Sequence, residues 1–121
     1  MRPHENLRVW QEGMSLVEEI YRVTHFFPES ERFGLISQLR RAAVSVPSNI
    51  AEGAARGSLL DYIRFLHIAR GSLSEVDTQL QIAERLGYCH LDEVLQSQVS
   101  NAFSQLGGLI KHLQRKVRQN S

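Results

Sequence analysis

Residues 58–87 read SLLDYIRFLHIARGSLSEVDTQLQIAERLG, and within them Tyr62, Leu66, Ala69, Leu73, Val76, Leu80, Ala83 and Gly87 alternate by four and three. That is the period of an amphipathic helix, not the period of two that a strand shows. Ser58 with Asp61 three residues on resembles a capping box with Asp in place of Glu. Gly87 suits the residue just past a helix end. A helix over about 59–87 reaches roughly 43 Å, enough to set the height of a bundle.

The same period extends to either side. Phe33, Ile36, Leu39, Ala43, Val46 and Ile50 predict a second helix over about 31–54, opened by Ser30 and ended by the Gly53–Gly57 turn. Pro47 lies inside it, where the lost i→i−4 bond predicts a kink. Before it, Leu7, Trp10, Met14, Val17, Tyr21 and Thr24 form one stripe, widened by Ile20 and Phe27. They predict a first helix over about 7–27, capped by Asn6, with Trp10 in the core and a stop at Phe27-Pro28. Downstream, Leu95, Val99, Ala102, Leu106, Leu109 and Leu113 predict a fourth helix over about 91–117. Asp92 and Glu93 favour its start, and Lys111, Arg115, Lys116 and Arg118 favour its end. All three connections are short, which makes consecutive helices antiparallel neighbours. The prediction is an all-α, up-down-up-down antiparallel four-helix bundle, a single domain over 1–121.

Composition narrows the function classes. With 121 residues, 42% hydrophobic, the chain suits one core. Cys89 stands alone, so no intrachain disulfide forms and a reducing, cytoplasmic location is expected. The first residues carry no apolar signal stretch. The longest uncharged run, Val94 to Ile110, holds seven Gln, Ser or Asn residues and is no membrane span. None of His4, His25, His67, His90 and His112 follows a Glu by three, and no two are four apart, so helix-borne metal pairs are missing. No phosphate loop, dinucleotide fingerprint or nucleophile elbow occurs. No enzyme activity, cofactor, metal or small-molecule substrate is expected, and His67 reads as a structural histidine.

Three constellations remain. Residues 1–31 have a net charge of −3, residues 32–70 of +4, residues 71–110 of −4, and residues 111–121 of +4. Arg40, Arg41, Arg56, Arg64 and Arg70, with the tail Lys111, Arg115, Lys116 and Arg118, are candidates for binding a nucleic-acid backbone. The alternative is that these arginines pair with carboxylates within or between chains. A polar line on helix two, Arg41, Ser45, Ser48, Asn49 and Glu52 beside Pro47, is a candidate for setting register or an oligomer contact. The uncharged face of helix four, Gln96, Ser97, Ser100, Asn101 and Ser104 with Gly107 and Gly108, is a candidate contact with another copy. Each glycine costs a helix about 1 kcal/mol against alanine, so the pair suggests a packing purpose.

Val9-Trp10-Gln11, Phe27-Pro28, Phe33-Gly34-Leu35, the block QLRRAAVSVPSNIAEG over residues 38–53, and Ala69-Arg70-Gly71-Ser72-Leu73 carry a family likeness. The chain resembles, over about residues 6–116, the four-helix-bundle proteins first noticed in intervening sequences of bacterial 23S rRNA genes. The resemblance implies a ring-like homopentamer without enzymatic activity. It extends to the accessory protein of diversity-generating retroelements, a strongly basic bundle that binds nucleic acid. This chain differs in being nearly neutral, at +1. Itself is therefore the first expected partner, RNA or DNA the second, and a membrane is not expected.

Overall fold

The computed structural model describes residues 2–120. Met1 and Ser121, the outermost residues of the predicted domain, lie outside that range. After a 3₁₀ turn at Pro3–Asn6 come α1 (Arg8–Thr24), a second 3₁₀ turn (Glu29–Glu31), α2 (Leu35–Ala54), α3 (Leu59–Arg85) and α4 (Glu93–Gln119). No strand occurs among the described residues. Each helix packs on its neighbours in sequence, and α4 also packs on α1, which leaves α1 diagonal to α3 and α2 diagonal to α4. The protein is an all-α four-helix bundle. Its core is one cluster of aliphatic side chains, with Leu16, Ile20, Leu39, Ile50, Leu66, Leu73 and Leu106 fully buried.

Three contacts define how α2 lies on α3. Gln79 Nε2 donates to Gln38 Oε1 at 3.5 Å, the Ser45 and Ser72 hydroxyls meet at 2.8 Å, and Gly53 faces Tyr62 and Phe65. Positions rise along α2 as they fall along α3, so these two helices run in opposite directions. Pro47 lies inside α2, and the helix continues past it to Ala54. Its ring is buried against Gly13 of α1, where an added Cβ would stand 3.3 Å from the Pro47 Cβ.

Local chemistry explains the helix ends. The Ser58 hydroxyl accepts from Asp61 N at 3.1 Å, and Asp92 Oδ1 accepts from Leu95 N at 2.8 Å. α3 closes as its glycine predicts. Gly87 has φ +78°, with Gly87 N donating to Glu84 O at 3.0 Å and Tyr88 N to Ala83 O at 2.9 Å, a Schellman pattern.

Two predicted starts are corrected. Asn6 does not cap α1: it sits in the first 3₁₀ turn, and Leu7 takes the cap position without a side-chain bond. The turn begins at Pro3, whose fixed φ suits a tight first turn. Ser30 likewise falls within the second 3₁₀ turn, and Phe33, assigned to the core by spacing, is 88% exposed. α2 starts at Leu35 because Glu31 supplies the missing acceptor, with Oε1 taking Leu35 N at 3.1 Å. Gly34 makes room for it, since a Cβ there would lie 2.7 Å from Glu31 Oε1.

The other Glu31 oxygen accepts from the Tyr88 hydroxyl at 2.9 Å and so ties the α3–α4 turn to the α2 start. This bond to a carboxylate holds the Tyr88 pKa above its ordinary value of 10.0. The folded state therefore keeps its phenolic proton longer than the unfolded chain, and that contribution is full below pH 10 and lost above it. Melting temperature is expected to fall above pH 10, and to fall less steeply in Tyr88→Phe. Equal slopes in the two proteins would refute the assignment.

The largest correction concerns α1. Its buried residues are Val9, Gly13, Leu16, Ile20 and Thr24, followed by Phe27. Of the predicted stripe only Thr24 is buried, together with Ile20 and Phe27, which widen it. Leu7, Trp10 and Val17 are half-buried, while Met14 and Tyr21 are 41% and 44% exposed. Both stripes have helical spacing and sit side by side on the helix, so the period alone does not choose between them.

Candidate interaction surfaces

The five arginines of α2, α3 and the turn between them do not form one basic face. Arg40 is spent inside the chain: Nε donates to Thr24 Oγ1 at 2.9 Å, a terminal nitrogen reaches Tyr21 O at 3.4 Å, and the guanidinium lies over the Tyr21 ring. It meets the carbonyl end of α1, where positive charge is favoured. Arg56 pairs with Glu52 at 2.8 Å, Arg64 with Asp61 at 3.2 Å, and both lie over Phe65. Arg70 meets Nδ1 of His67 at 2.9 Å, and that histidine is exposed. Arg41 alone of the five makes no side-chain hydrogen bond, ion pair or ring contact among the described residues. Arg64 stands near the level of Gly53, twelve residues along α2 from Arg41, roughly 18 Å away.

Basic charge gathers instead at one end. α3 and α4 border each other from Asp77 and Leu80 against Leu91 to Phe103. The end that holds the α2–α3 turn, with Arg56 and Arg64, therefore also receives the last turns of α4. There Lys111, Arg115 and Lys116 are exposed and make no ion pair among the described residues, and Arg118 lies in the final turn.

The polar line of α2 divides. Asn49 Nδ2 donates to Ser45 O and to Ser45 Oγ, both at 2.8 Å. The Ser45 hydroxyl also shares a hydrogen bond with that of buried Ser72, in which either can donate. That chain of bonds joins α2 to α3 within the subunit. Arg41, Ser48 and Glu52 are exposed. On α4, Gln96, Ser97, Ser100, Asn101, Ser104 and Gly108 are exposed and Gly107 is half-buried. A Cβ added at Gly107 or Gly108 would meet nothing within 4 Å, so no contact inside the subunit requires either glycine.

Sequence reasoning missed a surface. Trp10, Met14 and Val17 of α1 with Val44, Pro47 and Ala51 of α2 line an open, mainly apolar trough. Past Val44 the trough continues between Tyr21, Phe33 and Ile36, edged by Arg32, Arg40 and Arg41. A run of large apolar side chains along two helices exceeds the scattered exposure ordinary for a soluble chain. The signal was present: α1 carries two apolar stripes, one more than a single core face uses.

No group of three metal-ligating side chains occurs among the described residues. Cys89 is half-buried, and burial, then the neighbouring Glu84, raises its pKa, which leaves little thiolate at neutral pH. No helix among the described residues is long and apolar enough to cross a membrane.

A family model matches a span of the chain that includes the block over residues 38–53. The 23S rRNA-intervening sequence protein family covers residues 5–112. The chain belongs to this family. No curated protein matches it. As a 23S rRNA-intervening sequence protein it keeps the polar line, the apolar trough and the neutral α4 face inside the matched span, whereas Arg115, Lys116 and Arg118 lie beyond it.

Proposed function

We propose that the chain is a non-enzymatic, cofactor-free building block of a homo-oligomer in the cytosol, where it serves as an assembly or scaffold. Five copies is the number that the family resemblance implies. The observation that carries this reading is the trough between α1 and α2: Met14, Tyr21 and Phe33 lie exposed along one side of the subunit, with Trp10 half-buried against the core beside them. Covering such a surface removes apolar area from water at about 25 cal/mol per Å². Light scattering on a sizing column tests the reading, with a particle of several times 13.8 kDa expected at micromolar concentration. A monomer there would overturn it.

A second reading, a nucleic-acid or ribonucleoprotein accessory module, draws support from the exposed Lys111, Arg115 and Lys116 at the end that also holds Arg56 and Arg64. Repetition in a ring multiplies such a patch. It is ranked lower because four of the five arginines of α2, α3 and their connecting turn are engaged within the chain. The same column run with a structured RNA separates the two: complex formation at low salt, lost steeply as salt rises, is the signature of backbone binding.

A further inference from the structure

We propose that the apolar trough between α1 and α2 of one copy receives the neutral face of α4 from the next copy, so that two different faces of the subunit join head to tail. The inference rests on the oligomer reading and deepens it by naming the occupant. Height comes first. Val23 sits midway along the Glu19–Phe26 stretch that shares a cleft with Leu95 of α4 near the α3–α4 turn, which sets the two within about one helical turn of the same level. Counting away from them along both helices places Tyr21 level with Ser97, Val17 with Asn101, Met14 with Ser104 and Trp10 with Gly108. Rotation about an axis parallel to the bundle leaves every residue at its own height, so these levels meet in a ring.

Shape agrees with height. The two rows have the same four-three-four spacing, one of large apolar side chains and the other of Ser, Asn, Ser and Gly. Large projections facing small residues at matched spacing is how helices interlock. It also gives a purpose to the glycines of α4, which no contact inside the subunit explains.

Charge agrees as well. The trough nearest the α3–α4 end is edged by Arg41, with the internally bonded Arg40 and with Arg32, which pairs with Glu29 at 3.6 Å, beside it. The α4 face begins at that end with exposed Glu93. Opposite signs thus meet at that end of the seam, which favours this orientation. Because the two faces differ, the contact propagates and closes only as a ring.

Cross-linking tests this in a Cys89→Ser background. Co-expressed Met14→Cys and Ser104→Cys chains are expected to form a disulfide-linked dimer under mild oxidation, and neither variant alone is expected to do so. A dimer from Met14→Cys alone, or from Ser104→Cys alone, would mean that like faces meet and would overturn the proposal. An oligomer by light scattering with no mixed cross-link would also overturn it while leaving the oligomer reading intact; a monomer would remove both. In parallel, Gly108→Gln is expected to weaken assembly about tenfold or more at unchanged helical circular dichroism. An unchanged particle mass across a dilution series of that variant would count against the seam.

Discussion

Leu16→Ala is expected to lower the stability of the fold by about 2–5 kcal/mol, the range for deleting a fully buried leucine side chain. Met14→Ala, measured where the protein is dilute, is expected to cost less than about 1 kcal/mol. The two positions are two residues apart, and the sequence stripe favours the wrong one: Leu16 is 0% exposed and Met14 is 41% exposed. Leu16 sits in the aliphatic cluster with Ile20, Leu39 and Leu106, so its loss leaves a void among well-packed neighbours. Against a total stability of about 5–15 kcal/mol, such a loss shows directly as an earlier midpoint in urea. Met14→Ala should act instead on the concentration dependence of melting, since removing apolar area from an association face alters coupling to assembly. Equal effects of the two substitutions in dilute solution would contradict the rotational setting of α1.

Gly53→Val should be comparably damaging for the opposite reason. A Cβ at this position would stand 2.8 Å from the Phe65 Cβ and 3.1 Å from the Tyr62 ring, closer than side chains approach one another. α2 and α3 must separate there, which costs about 1–3 kcal/mol or more. The displacement would also disturb Arg56 and Arg64, both over the Phe65 ring. Gly71→Ala is the control. It lies mid-helix in α3, a Cβ there meets nothing within 4 Å, and the substitution should stabilise by up to about 1 kcal/mol. Thermal unfolding followed by circular dichroism checks both, and a neutral Gly53→Val would refute the close approach.

The helix count, the continuation of α2 past Pro47, the Ser58 cap and the Gly87 stop were legible because each depends on residues close in sequence. The second apolar surface was not. Choosing between Trp10–Met14–Val17–Tyr21 and Val9–Gly13–Leu16–Ile20 requires knowing what opposes α1, and that is supplied by Pro47 and Arg40 of α2. The late start of α2 was hidden for a similar reason. Glu31 serves as acceptor for both Leu35 and Tyr88, and the second of these lies fifty-seven residues away. For the candidate residues the limit was pairing. Arg40 and Arg41 are indistinguishable neighbours in the sequence, yet one is anchored to the carbonyl end of α1 and the other reaches solvent.

The contact of Gly13 with Pro47 has a consequence for folding. A helix with two apolar stripes about 100° apart has two nearly equivalent ways to lie on α2, and the wrong one would hide Met14 and Val17 while exposing Leu16. At the crossing, a shift of α1 about its axis would bring Met14 or Val17 toward the proline ring, where a Cβ alone already stands 3.3 Å from Pro47 Cβ and a larger side chain forces the helices apart. The Thr24–Arg40 bond would break in the same movement. Gly13 thus acts as a key that rejects the mis-rotated chain. The nascent subunit is thereby steered to the arrangement that leaves its second stripe outward.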